Sequence, residues 1–524
     1  MPSSSASVAP GAQPALDETA WLARLGPAAL AGLTFLVHAA CWDRYGLFRD
    51  ELYFIVCGGR LAAGYVDQPP GVAVVAALAH ALFGSWVPGL RLIPWLATAG
   101  TVYLAGRLAA RLGAGGAGAT LAAAATFACL VLRGTSSFLS MNAFDPLLIT
   151  GLAFVLLRLA EGEDPRLWVA AGALAGLAVL FKYTSAIITI LFLAGMLATA
   201  ARRALRTRWA LLGGAVGLLA VLPNFAWQAA HGFPFLEIVH NAALKNVATS
   251  PLQFLGQLVF EANPGNALLW VGGLFWLLAA AQARAARFAG LGSLAYLSAV
   301  VLGGGKPYYG APLLPLLLAA GAAGAAALVP RTWRAALPGY AGLLIASGLA
   351  FLPLALPILP VDAFLRYQSA LGSKPGGPER KTYGALPQLY ADMHGWRELA
   401  AAVGGAYAKL PPEQQRTAAV YGANYGVASA VNVLGPEYGL PPGLGVSGHN
   451  NYWIWGLPPG RGDPLILIGS ATEDCGGLYG EVVHGEQLPH DPLVMPYEDG
   501  HTITLCRGLR QRLTHLPEQV RHYE

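Results

Sequence analysis

Charge is what this chain lacks. Of its 524 residues only 12% are charged, while 55% are apolar. A soluble globular protein carries about 25% charged residues. The deficit excludes a cytosolic globular enzyme, a disordered chain and a nucleic-acid-binding protein. Cysteine is scarce as well, and five in so long a chain make no disulfide framework. Only six of the 33 basic residues are lysine, so arginine does most of the anchoring. The net charge of +5 is unevenly placed: residues 1–360 hold 21 basic and 12 acidic residues, whereas 361–524 hold 12 and 16. Hydropathy and charge break together, so the chain divides into a membrane body, 23–360, and a water-soluble tail, 361–524.

A bilayer-spanning helix needs about 20 mostly apolar residues, because backbone polar groups find no water in the hydrocarbon. The segments that qualify are Leu22–Cys41, Pro88–Ala109, Ala117–Leu132, Phe144–Leu159, Leu167–Leu180, Ser185–Ala200, Trp209–Trp227, Ala267–Ala281, Phe288–Leu302, Gly310–Val329 and Ala335–Leu359. They predict a polytopic α-helical membrane protein with a bundle of about 11 transmembrane helices, a count that one or two merges or splits would change. Gly and Ala dominate them, as close helix packing in lipid requires.

The arginines set the orientation. Arg107 and Arg111, Arg158 and Arg166, Arg202, Arg203, Arg206 and Arg208, Arg284 and Arg287, and Arg331 and Arg334 fall in alternate connections, which should be cytoplasmic. Residues 1–22, rich in Ser, Ala and Pro and without a basic n-region, read as a disordered cytoplasmic tail rather than a signal peptide. An odd number of spans places the C-terminal part outside; an even number would return it to the cytoplasm. The charge bias favours the outside.

Two external connections are long, 42–87 and 228–266, and loops of this length in a compact bundle usually carry function. Pro69, Pro70 and Gly71 open an apolar stretch, Val72–Phe83, that is short for a span and suits a helix lying on the membrane surface. The tail reads as an α/β domain: Trp396–Tyr407 has helical periodicity, and Thr417–Val420 and Pro464–Ile468 are strand candidates. Cys475 and Cys506 lie in it, either as a disulfide of an oxidising compartment or as two separate buried thiols.

Carboxylates are sparse in the body, and their placement is informative. Apart from Asp17, Glu18 and one cytoplasmic group (Glu161, Glu163, Asp164), seven remain. Asp43, Asp50, Glu51 and Asp67 crowd the first external loop, and Asp145, Glu237 and Glu261 lie near the same face. Charge at membrane depth is costly, so a cluster of this kind is a candidate site. Lys182 and Lys306, at outer ends of spans, and Arg133, just after the third, supply cations at that level. Snorkelling at a helix end is the alternative for Arg133. Such parts suit group transfer from a phosphate leaving group, which needs a base for the incoming group and cations for the departing anion.

The order and spacing of these residues resemble a known family. Arg49-Asp50-Glu51-Leu52-Tyr53-Phe54, Gly64-Tyr65-Val66-Asp67-Gln68-Pro69-Pro70-Gly71, Leu82-Phe83-Gly84 and Arg91-Leu92 resemble the first external loop of bacterial glycosyltransferase family 39 proteins. These are relatives of the dolichyl-phosphate-mannose–protein mannosyltransferases and the aminoarabinose lipid A transferases, with the GT-C membrane fold. Asn142-Ala143-Phe144-Asp145, Lys182-Tyr183-Thr184 and Lys306-Pro307-Tyr308-Tyr309 match later positions, so the resemblance spans about the first 330 residues. The tail motifs Asn424-Tyr425-Gly426 and Ser447 to Trp453 resemble an external domain carried by some members, to which no chemistry is attached.

The resemblance implies a polyprenyl-phosphate-sugar donor and inverting transfer to a protein, lipid or glycan of the cell envelope, at the outer face of a bacterial plasma membrane. Asp50 takes the place of the loop aspartate that deprotonates the acceptor, with Glu51 beside it in an orienting role. Asp67 takes the second acidic position, which binds acceptor or a cation in relatives. Gln68 stands where relatives often have His or Lys, leaving the donor class open. Asp145, Lys182, Tyr183, Lys306, Tyr308, Tyr309 and Arg133 complete the expected substrate-binding set.

No cofactor is demanded. A divalent cation held by Asp67 with His231, His240 or Glu237 is the one candidate, and its spacing follows no zinc pattern. Trp42, Tyr45, Tyr53, Phe233 and Phe235 read first as interfacial aromatics. The rival readings are a pentosyl- or arabinosyltransferase of the same donor class, a multi-span transporter or lipid carrier, and a non-catalytic assembly protein. A carrier would place its acidic residues in mid-span.

Overall fold

The computed structural model of the protein describes residues 22–245, 249–330, 332, 336–376, 381–469, 475, 477–511 and 515–524. The expected N-terminal tail through Trp21, and Arg331 and Arg334, lie outside the described residues.

Every one of the eleven apolar segments is occupied by helix. The first is α1 (Leu22–Ala39). The loop after it folds into α2 (Arg49–Gly58) and α3 (Gly71–Phe83), and α4 (Val87–Arg111), α5 (Gly115–Ala128) and the short α6 (Leu130–Gly134) follow. Next come α7 (Asp145–Ala160), α8 (Leu167–Phe181), α9 (Thr184–Leu197) and α10 (Arg208–Ala230). The second long connection holds α11 (Pro234–Lys245) and α12 (Pro251–Glu261), and the body closes with α13 (Ala267–Ala279), α14 (Arg287–Leu302), α15 (Leu314–Leu328) and α16 (Ala336–Phe351). Five stretches are long and apolar enough to cross a membrane: Met141–Ala160, Arg208–Ala230, Arg284–Leu302, Pro307–Leu328 and Ala336–Leu354. The chain is a multi-pass membrane protein.

Small residues let the helices approach one another. A Cβ on Gly172 of α8 would stand 1.8 Å from the Gly213 carbonyl oxygen of α10, and one on Gly273 of α13 would stand 2.0 Å from that of Leu317 in α15. Nothing larger than glycine fits either crossing. This is the packing expected where lipid removes any hydrophobic drive between helices. Helix α3 presents Val74, Leu78 and Leu82 to its surroundings, four residues apart and therefore on one face. That apolar stripe agrees with a helix lying at a membrane surface.

The C-terminal part begins with α17 (Val361–Ala370), α18 (Gln388–Ala391), α19 (Trp396–Ala408) and α20 (Pro412–Thr417), and continues through α21 (Tyr425–Leu434) and α22 (Asn451–Trp455). Its strands are β1 (Ala419–Gly422), β2 (Gly445–Val446), β3 (Leu465–Gly469), β4 (Tyr479–Gln487) and β5 (Thr502–Leu509). They form one sheet in the order β2-β1-β3-β5-β4, with β1 parallel to β2 and β3, and β5 antiparallel to β3 and β4. A disulfide joins Cys475 and Cys506.

The two parts are not separate bodies. Leu52 of α2 is buried in the same core as Trp396, Val420, Val427 and Ile466 of the sheet domain. Tyr45 and Phe48 share another core with Phe364, Tyr390 and Met495. The connection between α1 and α4 is thus wedged between bundle and sheet domain.

Candidate active site

The first loop separates its two adjacent carboxylates. Glu51 has no exposed side-chain surface, whereas the Asp50 side chain is 38% exposed. Both Glu51 oxygens are fully engaged. Arg91 Nε donates to Oε1 at 3.0 Å and Nη2 to Oε2 at 2.7 Å. The backbone N–H groups of Leu139 and Phe48 add bonds of 2.9 Å and 3.3 Å. Both oxygens of Glu51 are thus held inside the protein, where Glu51 fastens the loop and does not face a substrate. Asp50, one residue earlier on α2 and turned roughly 100° away by the helical period, keeps an accessible carboxylate.

Two tyrosines connect Asp50 to Asp67. Tyr425 of the sheet domain donates to Asp50 Oδ1 at 2.6 Å, and Tyr53 donates to Asp67 Oδ1 at 3.0 Å. The two rings pack with centroids 5.0 Å apart. Burial holds both hydroxyls well above the usual phenol range, so they remain donors. Asp67 itself is pushed up to about 7, by burial first and also by the nearby Asp50 charge, against the opposing Tyr53 hydrogen bond. Asn451 of the sheet domain fixes this corner by accepting the Val66 N–H at 2.7 Å. Tyr53, expected as an interfacial aromatic, is buried here.

On the bundle side, Lys182 ends α8. Its Nζ donates to Asn142 Oδ1 at 2.6 Å, meets Asp145 Oδ2 at 3.2 Å, and lies 5.4 Å and 5.2 Å from the Tyr308 and Tyr309 ring centroids. Tyr308 is in turn within electrostatic reach of Asp50 and Glu261. It is near both the exposed carboxylate and the lysine. Lys306, half-buried, opens the turn Pro307–Leu313 that carries both tyrosines. Tyr183 accepts from Gln228 at 3.1 Å, packs on Phe235 at 4.2 Å and feels the Asp67 charge. Asp50, Asp67, Asp145, Lys182, Tyr183, Tyr308 and Tyr309 thus form one connected group.

Two expected members stand apart from it. Gln68 is buried, with Nε2 3.7 Å from Cys57 Sγ, and its side chain packs inside the loop instead of facing substrate. Arg133 is also fully buried. None of its guanidinium nitrogens has a hydrogen-bond partner among the described residues, and its nearest aromatic is Phe127 at 5.8 Å. It neither snorkels nor joins Lys182. A position at the end of a span does not disclose which way a side chain turns.

Two of the cation candidates have other contacts: Glu237 is bonded by Arg521 at 3.0 Å, and His231 stacks on Trp227 at 4.0 Å. Among the described residues no three His, Cys, Asp or Glu side chains come together to hold a metal. Residues that the sequence reading passed over include Arg91, Tyr425, Asn451 and Arg49, all of which act across long sequence distances.

Residues 67–227 match the family described as dolichyl-phosphate-mannose-protein mannosyltransferase, a stretch holding Asp67, Asn142, Asp145, Lys182 and Tyr183. Similar solved structures include the crystal structures of ArnT from Cupriavidus metallidurans, one bound to undecaprenyl phosphate and one in the apo state. Each is 15% identical with a TM-score of 0.56, covering 93% of this chain and 98% of that chain. The fold is that of the GT-C glycosyltransferases. No curated protein matches the chain in sequence. The similarity to ArnT takes in the C-terminal part along with the bundle, since 93% of the chain is covered. The fold shared with ArnT therefore takes in most of the domain that carries Tyr425.

Proposed function

We propose that this protein transfers a sugar from a polyprenyl-phosphate donor to a protein, lipid or glycan acceptor at the outer face of a bacterial plasma membrane, inverting the anomeric carbon. The acceptor hydroxyl or amine attacks that carbon while Asp50 takes its proton. The bond from carbon to phosphate oxygen breaks, and the polyprenyl phosphate leaves with the electron pair. A phosphate is already a stable anion, so no general acid is required, only cations and donors at the departing oxygen. Lys182 has three N–H donors; Asn142 and Asp145 occupy two, and the third is directed by them. Lys306 adds its charge at the same turn.

The observation that carries this reading is that one ring, Tyr308, lies within reach of both the accessible base Asp50 and the oriented cation Lys182. The family match and the undecaprenyl phosphate bound to ArnT support the donor class. The outward orientation rests on the arginine distribution. A carrier is the less favoured reading because Asp145 is the first residue of α7, at a helix end, and the other acidic members lie in the connection between α1 and α4, Asp50 at the start of α2 and Asp67 between α2 and α3.

The test compares a deletion strain expressing the wild-type protein with one expressing Asp50→Asn at equal level. The variant should accumulate one polyprenyl-phosphate-sugar and lose one decorated envelope product, a fall in transfer of about 10²–10⁴-fold, as expected for loss of a general base. The mass of the accumulated sugar would distinguish a hexosyl from a pentosyl or arabinosyl donor. Normal decoration with Asp50→Asn would remove Asp50 as the base.

A further inference from the structure

The motif Asn424-Tyr425-Gly426 gives each of its residues a different task. Asn424 caps α21: its Oδ1 accepts from the N–H groups of Gly426 at 2.8 Å and Val427 at 3.1 Å. Its own Nδ2 donates to Glu498 Oε1 at 2.9 Å, which ties the cap to the domain behind it. The cap sets the direction of the first helical turn and thereby the aim of Tyr425 at Asp50. Gly426 leaves room: a Cβ there would lie 2.6 Å from Arg49 Cγ and 2.9 Å from Cδ. Arg49 passes through that space with its guanidinium 5.4 Å from the Tyr425 ring centroid and 5.7 Å from that of Tyr497. It bonds Tyr497 and meets Asp392 at 3.8 Å, and Tyr497 donates to Asp392 at 3.2 Å.

We propose that Tyr425 is a positioning residue for the base, through which the C-terminal domain sets which oxygen of Asp50 receives the acceptor proton. The inference rests on the assignment of Asp50 above. Tyr425 holds Oδ1 at 2.6 Å, and Arg49 Nε lies 3.7 Å from the same atom. Oδ2 is the oxygen left to face the acceptor. Removing the Tyr425 donor leaves the Asp50 carboxylate free to rotate away from the acceptor.

The experiment uses full-length protein purified in detergent, with the polyprenyl-phosphate lipid fraction extracted from the deletion strain as donor and that strain's envelope as acceptor. Tyr425→Phe keeps the ring and removes only the hydroxyl. Its kcat should fall about 10–100-fold. The KM for the lipid fraction should stay within about twofold, because a residue acting through the base does not bind the donor. Gly426→Ala, which forces Arg49 and Tyr425 apart, should lower kcat with the same unchanged KM and carries the test if Tyr425→Phe fails to accumulate. A wild-type kcat, or a fall in kcat matched by a rise in KM, with Asp50→Asn inactive, would overturn the role of Tyr425 alone. Activity in Asp50→Asn would instead overturn the base beneath it.

Discussion

In the connection after α7, Glu161 and Glu163 lie near the surface against Arg111 and Arg158; in the loop after α1, Glu51 lies fully buried against Arg91. The side chains of the first group are 28–35% exposed, and Arg158 Nε reaches Glu163 Oε2 at 2.8 Å while Arg111 bonds both glutamates. In the second, every oxygen of Glu51 has donors, and Arg91 spends its remaining groups on the Trp42 and Gly46 carbonyls at 3.0 Å and 2.9 Å. The same residue types thus do different work. Exposed ions retain water and lose little when separated. Buried ions have given up water and depend on one another for it. What the contrast teaches is where to look for function: beside the buried pair, Asp50 is left accessible on a helix that Glu51 prevents from shifting.

Removal of Arg91 should break this contrast most severely. Arg91→Met strands the Glu51 carboxylate in the interior, which costs about 3–5 kcal/mol when one partner of a buried pair is lost. Folded, detergent-soluble protein should fall sharply by size-exclusion profile, and the melting temperature of any remainder should drop. Adding Glu51→Gln removes the stranded charge and should restore part of the loss. If Arg91→Met melts like the wild type, the pair is not what holds the loop.

The bundle was legible because the length of an apolar run decides a helix almost alone. The acidic site was legible through scarcity, since few carboxylates were present and most lay in one loop. The division of labour between Asp50 and Glu51 was legible only through the family resemblance, as a base with an orienting neighbour. Its cause was not, because Arg91 lies 40 residues away. Tyr425 is 375 residues from Asp50, and no local pattern connects them. Gln68 and Arg133 were misjudged for a related reason: sequence gives a residue's depth along a span but not the packing that turns its side chain inward. The helices α11 and α12 did leave signals, Pro234 and Pro251 at first-turn positions and Ser250 with Gln253 as a capping box. The sequence reading treated their connection as a loop because it weighed composition over caps.

Between these extremes stand Glu261 and Asp67, half-buried acids with no ion-pair partner among the described residues. Burial pushes Glu261, at the end of α12, up to about 8 from its ordinary 4.5, and its Oε2 finds no hydrogen bond among the described residues. For an acid with a raised value the folded state favours the protonated form. That contribution is complete below pH 4.5, is lost as pH climbs through the window from 4.5 to 8, and is gone above it. Glu261→Gln should therefore melt like the wild type at pH 4.5 and about 1–3 °C higher at pH 8.5. A constant gap across that range, or none at pH 8.5, would mean that Glu261 ionises as freely as a surface carboxylate.

The smallest effect should come from the exposed end of the comparison. Arg111→Ala removes the residue that bonds both Glu161 and Glu163, yet Arg158 remains beside Glu163 and water can reach all three side chains. Coulomb attraction between such groups is weak in water, is screened by salt over about 8–10 Å, and is offset by the entropy of holding long side chains still. The melting temperature should change by less than about 1 °C in 150 mM salt, with transfer activity unaltered, because Glu161 and Glu163 follow the end of α7 opposite to Asp145 and the site. Repeating the melt near 10 mM salt should enlarge the difference slightly, as the screening length grows to about 30 Å. A loss approaching that of Arg91→Met would show that exposure is the wrong axis on which to sort the charges of this protein.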